Sequence, residues 1–203
     1  GSGSVQGTAT VSCALIKSVQ VSLPTTQVVL TRSPDGAPIP ESLGTLTAAV
    51  IGLDDAPIPD LRPQLAIDDG AVLKRDGDTV SAAKPGLGRI RAIHGTHEAE
   101  HVVLVGDEAV RRAGIAVPAG DGVGLPLEAG RYTIWIGSDH PISVEARGAE
   151  CESPEGVKHA VRCTFAATGS LRLEASSRLL GGKDAKATVR AVRWPMDGPE
   201  PSM

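Results

Sequence analysis

The chain has 203 residues, of which 41% are apolar and 2% aromatic, and its formal net charge is −4. That charge argues against a nucleic-acid partner, which needs a basic face on the protein. No apolar run approaches the roughly 20 residues of a membrane span.

Glycine (24) and proline (15) are spread along the chain, which punctuates many short elements and does not mark one disordered linker. With few aromatics, any core must be mostly Val, Ile, Leu and Ala. Gly1, Ser2, Gly3 and Ser4 have the composition of an artificial leader and are left out of the fold argument. Helical periodicity is almost absent. Apolar and polar residues alternate, with interruptions by Gly, Pro and Asp about every eight to twelve residues, which predicts an all-β sandwich or barrel.

In chain order, Val19, Val21 and Leu23 alternate up to Pro24, and Val28, Val29 and Leu30 follow. Leu43, Leu46, Ala48 and Val50 form the next strand-like run. Leu65 and Ile67 lead into the turn sequence Asp68-Asp69-Gly70. Val72 and Leu73 precede Asp76-Gly77, a hairpin signal because glycine accepts positive φ at little cost. Val80 and Ala82 run to a turn at Lys84-Pro85-Gly86. Ile90, Ala92 and His94, then Val102 to Val105, complete a first unit, with a boundary predicted at Gly106 and Asp107.

A second unit restarts at Ile115. Leu125 and Leu127 precede Tyr132, Ile134 and Ile136, then Ile142, Val144 and Ala146. Val161, Cys163 and Phe165 share one strand face, and Leu171, Leu173 and Ala175 share another. Val189 to Trp194 close the unit. All four aromatics (Tyr132, Trp135, Phe165 and Trp194) fall in this half, which supports two separate cores. The expected organisation is two consecutive Ig-like or β-sandwich domains. Residues 1–17 form the leader and an N-terminal segment, 18–106 the first sandwich, 107–195 the second, and 196–203 a flexible, proline-rich tail.

The first unit resembles the bacterial Ig-like domain, group 2, over residues 19–105. The family's opening V-x-V-x-L-P strand is matched by Val19-Gln20-Val21-Ser22-Leu23-Pro24, and its L-T-A-x-V strand by Leu46-Thr47-Ala48-Ala49-Val50. Ile67-Asp68-Asp69-Gly70-Ala71-Val72-Leu73 stands in place of its S-D-x-x-V-A-x-V segment. Asp76-Gly77-Asp78-Thr79-Val80-Ser81-Ala82 stands for its D-G-x-V-x-A turn, with one extra residue, and Ile90-Arg91-Ala92 for its closing strand. The chain departs from the family in having Leu65 near the usual Trp and a His-rich end. The resemblance implies a spacer or adhesion module of a bacterial envelope protein, and no active site. The second unit resembles no family and is read as a sandwich from its alternation alone.

His97-Glu98-Ala99-Glu100-His101 spells H-E-x-x-H, which binds zinc when a helix stacks the two imidazoles one turn apart. Here a Val/Leu strand follows, and an extended backbone puts His97 and His101 about 13 Å apart. A zinc hydrolase at His97, Glu98 and His101 is therefore the weakest functional reading, and a surface metal site joining His94 to His97 has nothing further behind it. No cofactor is expected. The aspartates at 68, 69, 76 and 78 lack a calcium-loop pattern and suit turns. Gly120-Asp121-Gly122-Val123-Gly124 has no helix after it to hold a phosphate.

The three cysteines are Cys13, Cys151 and Cys163. The near pair, Cys151 and Cys163, is expected to form a disulfide, with one thiol to spare. A tight hairpin about Ser153-Pro154-Glu155-Gly156 would set Cys151 opposite Lys158, so the bond requires a looser loop or strands from different sheets. Cys13 follows a weak lipobox-like run and is a candidate lipid anchor. Trp135 lies on the opposite strand face from Ile134 and Ile136, where it either stacks on a sugar ring or packs against the other domain or under a loop; the carbohydrate-binding reading centres on Trp135 and Tyr132.

These readings lead to a non-catalytic structural or adhesion segment of a bacterial envelope protein, periplasmic or extracellular, whose partner is a protein or a surface glycan. A carbohydrate-binding module and a subunit of a phage tail or appendage are the alternatives.

Overall fold

The computed structural model describes residues 15–68, 70–153, 159–175 and 184–202. Among them the protein is all-β, with several sheets in a sandwich-like arrangement and no helix. Fourteen strands follow in order: β1 (Ile16–Ser22), β2 (Gln27–Leu30), β3 (Glu41–Thr45), β4 (Thr47–Gly52), β5 (Gln64–Asp68), β6 (Leu73–Asp76), β7 (Thr79–Ala82), β8 (Gly86–His94), β9 (His97–Val117), β10 (Gly122–Leu127), β11 (Gly130–Ser138), β12 (Ile142–Glu152), β13 (Ala160–Ala175) and β14 (Ala185–Trp194). Cys13 lies outside the described residues.

In the N-terminal half, a β3-β7-β6 sheet faces strands β5, β8, β9 and β2 of the large sheet. Between them lie Leu30, Leu43, Leu73, Val80, Ile90, Val103 and Val105, all buried. β1 and β4 pair as a separate two-stranded sheet. The Leu43–Val50 run is two strands, because the chain changes sheets at Leu46. β3 pairs with β7 and β4 with β1, and the Leu46 amide donates to Asp78 O at 2.7 Å. Asp76-Gly77 closes the β6–β7 hairpin as expected from its sequence.

In the C-terminal half the core holds Tyr132, Ile134, Phe165, Leu171, Leu173, Val189 and Ala191. Residues 161–165 and 171–175 belong to one long strand, β13. Its first part pairs with β11 and its last part with β10, while β12 follows it on the other edge. The change of partner along β13 is matched by an irregularity in the β12 register. Arg147 lies opposite Ser170, but Ala149 lies opposite Phe165, with Gly148 between them at φ +81°, a conformation that L side chains rarely adopt.

The expected break at Gly106 is not a loop. β9 runs 21 residues straight through it, about 65 Å if fully extended. β2 lies parallel along one edge of β9 at Leu104–Asp107, so β8 and β14 follow each other along the other edge. Two irregularities in the β14–β9 register, one beside Gly114 at φ +67°, adjust β9 to the second core. Leu104, on the opposite face of β9 from Val103 and Val105, packs with Val192 and Trp194 into a third small cluster at this waist.

The tail also differs from expectation. Residues 195–202 fold back across the waist, in contact with Arg131, Arg162 and Gln27.

Candidate functional site

The H-E-x-x-H sequence lies on the first part of β9. His97 and His101 are two pleats apart on one face, where an imidazole pair cannot share an ion. His94 and His97 face each other across the Gly95-Thr96 turn, and His94 Nδ1 lies 3.3 Å from Arg62 O. His101 is paired with the buried Ile90, so it faces the first core, with its Nε2 buried and unpartnered. Among the described residues, no group of three or more His, Cys, Asp or Glu is placed to hold a metal ion. Also among them, no helix is long and apolar enough to cross a membrane.

Cys151 and Cys163 are directly opposite across the β12–β13 ladder, with Cα atoms 4.2 Å apart, and are joined by a disulfide. Neighbouring strands of one sheet carry the bond. Cys163 is buried in the second core, whereas Cys151 is exposed on β12.

The two aromatic candidates part company. Tyr132 is 1% exposed, edge-on to Phe165 with ring centroids 5.6 Å apart, and its hydroxyl donates to Glu128 O at 3.2 Å. Burial, with a further push from the nearby Glu128 charge against the pull of Arg193, raises its pKa. Tyr132 is thus a core residue, unable to stack on a sugar. Trp135 is half-buried beside the waist cluster, and the Arg190 guanidinium sits 5.2 Å from its ring centroid. One face of the indole is therefore already engaged by a cation.

What sequence reading missed is the polar centre of the waist. Asp107, 2% exposed, accepts two bonds from Arg32, from Nε at 3.0 Å and Nη2 at 2.6 Å. Arg193 of β14 approaches the same carboxylate at 3.5 Å and pairs with Glu128 at 2.5 Å. The Asp107 hydrogen bond and charge raise the Arg32 pKa above its ordinary value. Next along β9, the largely buried Glu108 accepts from Arg190 at 2.8 Å. A two-pronged Arg–carboxylate contact fixes geometry as well as charge. Here it ties the loop after β2 to the strand shared by both cores.

Above this centre, the Trp194 indole N–H donates to the buried Thr133 hydroxyl at 3.0 Å. The ring lies so close to Gly106 that a Cβ there would be 2.8 Å from its Cε3 and Cζ3 atoms. Gly-Asp in a chain reads as a turn. In this fold the glycine makes room for an indole, and the aspartate answers two arginines distant in sequence.

No protein-family model matches the sequence, and no curated protein is similar to it. Among solved structures, the chain is similar to domains 4 and 5 of the S-layer protein SbsC, at 14% identity and a TM-score of 0.34, covering 90% of this chain and 98% of that one. A longer SbsC structure, domains 1–6, aligns over 93% of this chain and 29% of its own length, at 14% identity and a TM-score of 0.34. Superpositions of this quality carry no argument about function.

Proposed function

We propose that the chain is a non-catalytic structural segment of a bacterial cell-envelope or surface protein. In this reading residues 18–106 form an Ig-like spacer of the group 2 type. They hold the second sandwich, residues 107–195, at a fixed distance and angle so that it can present a surface to a partner. The observation that carries the reading is β9. A single hydrogen-bonded strand passes from one core into the other with no linker, and Arg32, Asp107 and Arg193 close on it at the crossing. Domains joined by flexible linkers move relative to one another by default, and a shared strand removes that freedom. The disulfide adds support for the compartment, since such bonds persist in oxidising surroundings.

The test is ¹⁵N relaxation of the whole chain in solution. Amides on either side of Gly106 are expected to fit one rotational diffusion tensor. Two independent correlation times would defeat the spacer reading. A glycan partner is tested by tryptophan fluorescence across a broad glycan panel. With Tyr132 buried and Trp135 against Arg190, no quenching or shift is expected, and saturable quenching would move the reading to carbohydrate binding.

A further inference from the structure

The C-terminal segment is gripped in a way that packing of a terminus does not require. Arg131 of β11 donates to three main-chain carbonyls, those of Pro195 at 2.6 Å, Gly198 at 3.2 Å and Pro199 at 2.9 Å. Arg162 of β13 donates to Pro201 O at 2.9 Å and pairs with Glu200 at 3.4 Å. Gln27 of β2 closes a reciprocal pair with Ser202, donating to its carbonyl at 2.9 Å and accepting from its amide at 2.7 Å. Gly198 rests on Leu104 and Leu87, against which a Cβ would collide, and Pro201 is buried.

The donors therefore address main-chain oxygens, while the segment contributes prolines, which have no N–H to satisfy and little backbone freedom to lose. Arg131 and Arg162 belong to the C-terminal half, and Gln27, Leu87 and Leu104 to the N-terminal half, so the bound segment spans the waist.

We propose that residues 195–202 act as a proline-rich strap that turns across the outer face of the waist and holds the two halves together. The inference rests on the rigid-spacer reading and adds to it what holds the waist shut.

Two variants of the full chain test it from opposite sides. Arg131→Ala with Arg162→Ala and Gln27→Ala removes the grip, and Gly198→Val leaves those side chains intact but drives a side chain into Leu104 and Leu87. In both, amides of Asp197, Gly198 and Ser202 are expected to fall from order parameters of about 0.85 to below about 0.6. Hydrogen exchange at Leu104, whose amide donates to Thr26 O, should quicken about tenfold or more. Exchange in β7 and in the 142–147 part of β12, away from the tail, should stay as in the wild type and so report intact folding. Arg131→Lys, with a single ammonium in place of a fork, should fall between. Tail amides that stay ordered in both variants, or a released tail with unchanged exchange at Leu104, would overturn the strap. Independent tumbling of the two halves in the wild type would instead overturn the spacer reading.

Discussion

The Arg32–Asp107 contact makes an asymmetric prediction. Arg32 and Arg193 keep 43% and 34% of their side-chain surface in water, whereas Asp107 keeps 2%. Asp107→Ala therefore leaves two guanidiniums that can hydrate, and its cost is that of lost charge-assisted hydrogen bonds, about 2 kcal/mol. Arg32→Ala leaves a buried carboxylate with only the longer Arg193 contact. Stranding such a charge costs about 3 kcal/mol, toward the lower end for buried pairs because Arg193 still offers partial compensation. Once Asp107 is absent, Arg32→Ala should cost almost nothing, since only an exposed side chain is lost. The double variant should then match Asp107→Ala, giving a coupling energy of about 3 kcal/mol. Urea denaturation with unchanged slope is the assay. In a chain of this size, Arg32→Ala should lower Tm by roughly 6–12 °C. Additive single effects, or an Arg32→Ala loss below about 0.5 kcal/mol, would show that the contact is a surface pair of little consequence.

Three further outcomes are expected. Tyr132 is the sole tyrosine, so its phenolate can be followed by absorbance alone. Its pKa is raised on folding, chiefly by burial, so this contribution to stability is complete below the ordinary tyrosine value near 10 and is lost as pH rises through the higher folded value; a midpoint at the free-tyrosine value in folded protein would contradict the burial. Protein isolated from an oxidising compartment without reductant should show one reactive thiol among three cysteines, and reduction should cost about 3 kcal/mol in the loop-entropy model; three reactive thiols before denaturation would remove the case for an oxidising compartment. Gly106→Ala should displace the Trp194 ring and destabilise by about 1–3 kcal/mol, with a red-shifted tryptophan emission; an unchanged spectrum and stability would mean that the indole is not pressed onto the strand.

Strand identity was legible in the sequence because alternation is a local consequence of the pleat. Val19 and Val21 fall in β1, Leu65 and Ile67 in β5, and Tyr132, Ile134 and Ile136 in β11. What alternation cannot report is which partner a strand takes. Leu46 was hidden inside an apparent single run because the change of sheet there depends on Asp78, 32 positions away. The continuity of β13 was hidden because residues 161–165 and 171–175 each alternate on their own, while the strand changes partner from β11 to β10 between them. The disulfide was foreseen because two cysteines lay near each other, while the waist was not, because Arg32, Asp107 and Arg193 are spread over most of the chain. Tyr132 alternates in step with Ile134 and Ile136 and shares their core, its hydroxyl satisfied by a carbonyl four residues away.

The passage of β9 through both cores also governs how the molecule can be divided. Severing the chain at Gly106 would take Leu30 and Arg32 of one piece away from Asp107 of the other and divide the Leu104, Val192 and Trp194 cluster between them. The carboxylate would be left without its main partner and the waist cluster open to water. Neither fragment should survive as a soluble module, and heating the whole chain should melt both halves in a single calorimetric transition.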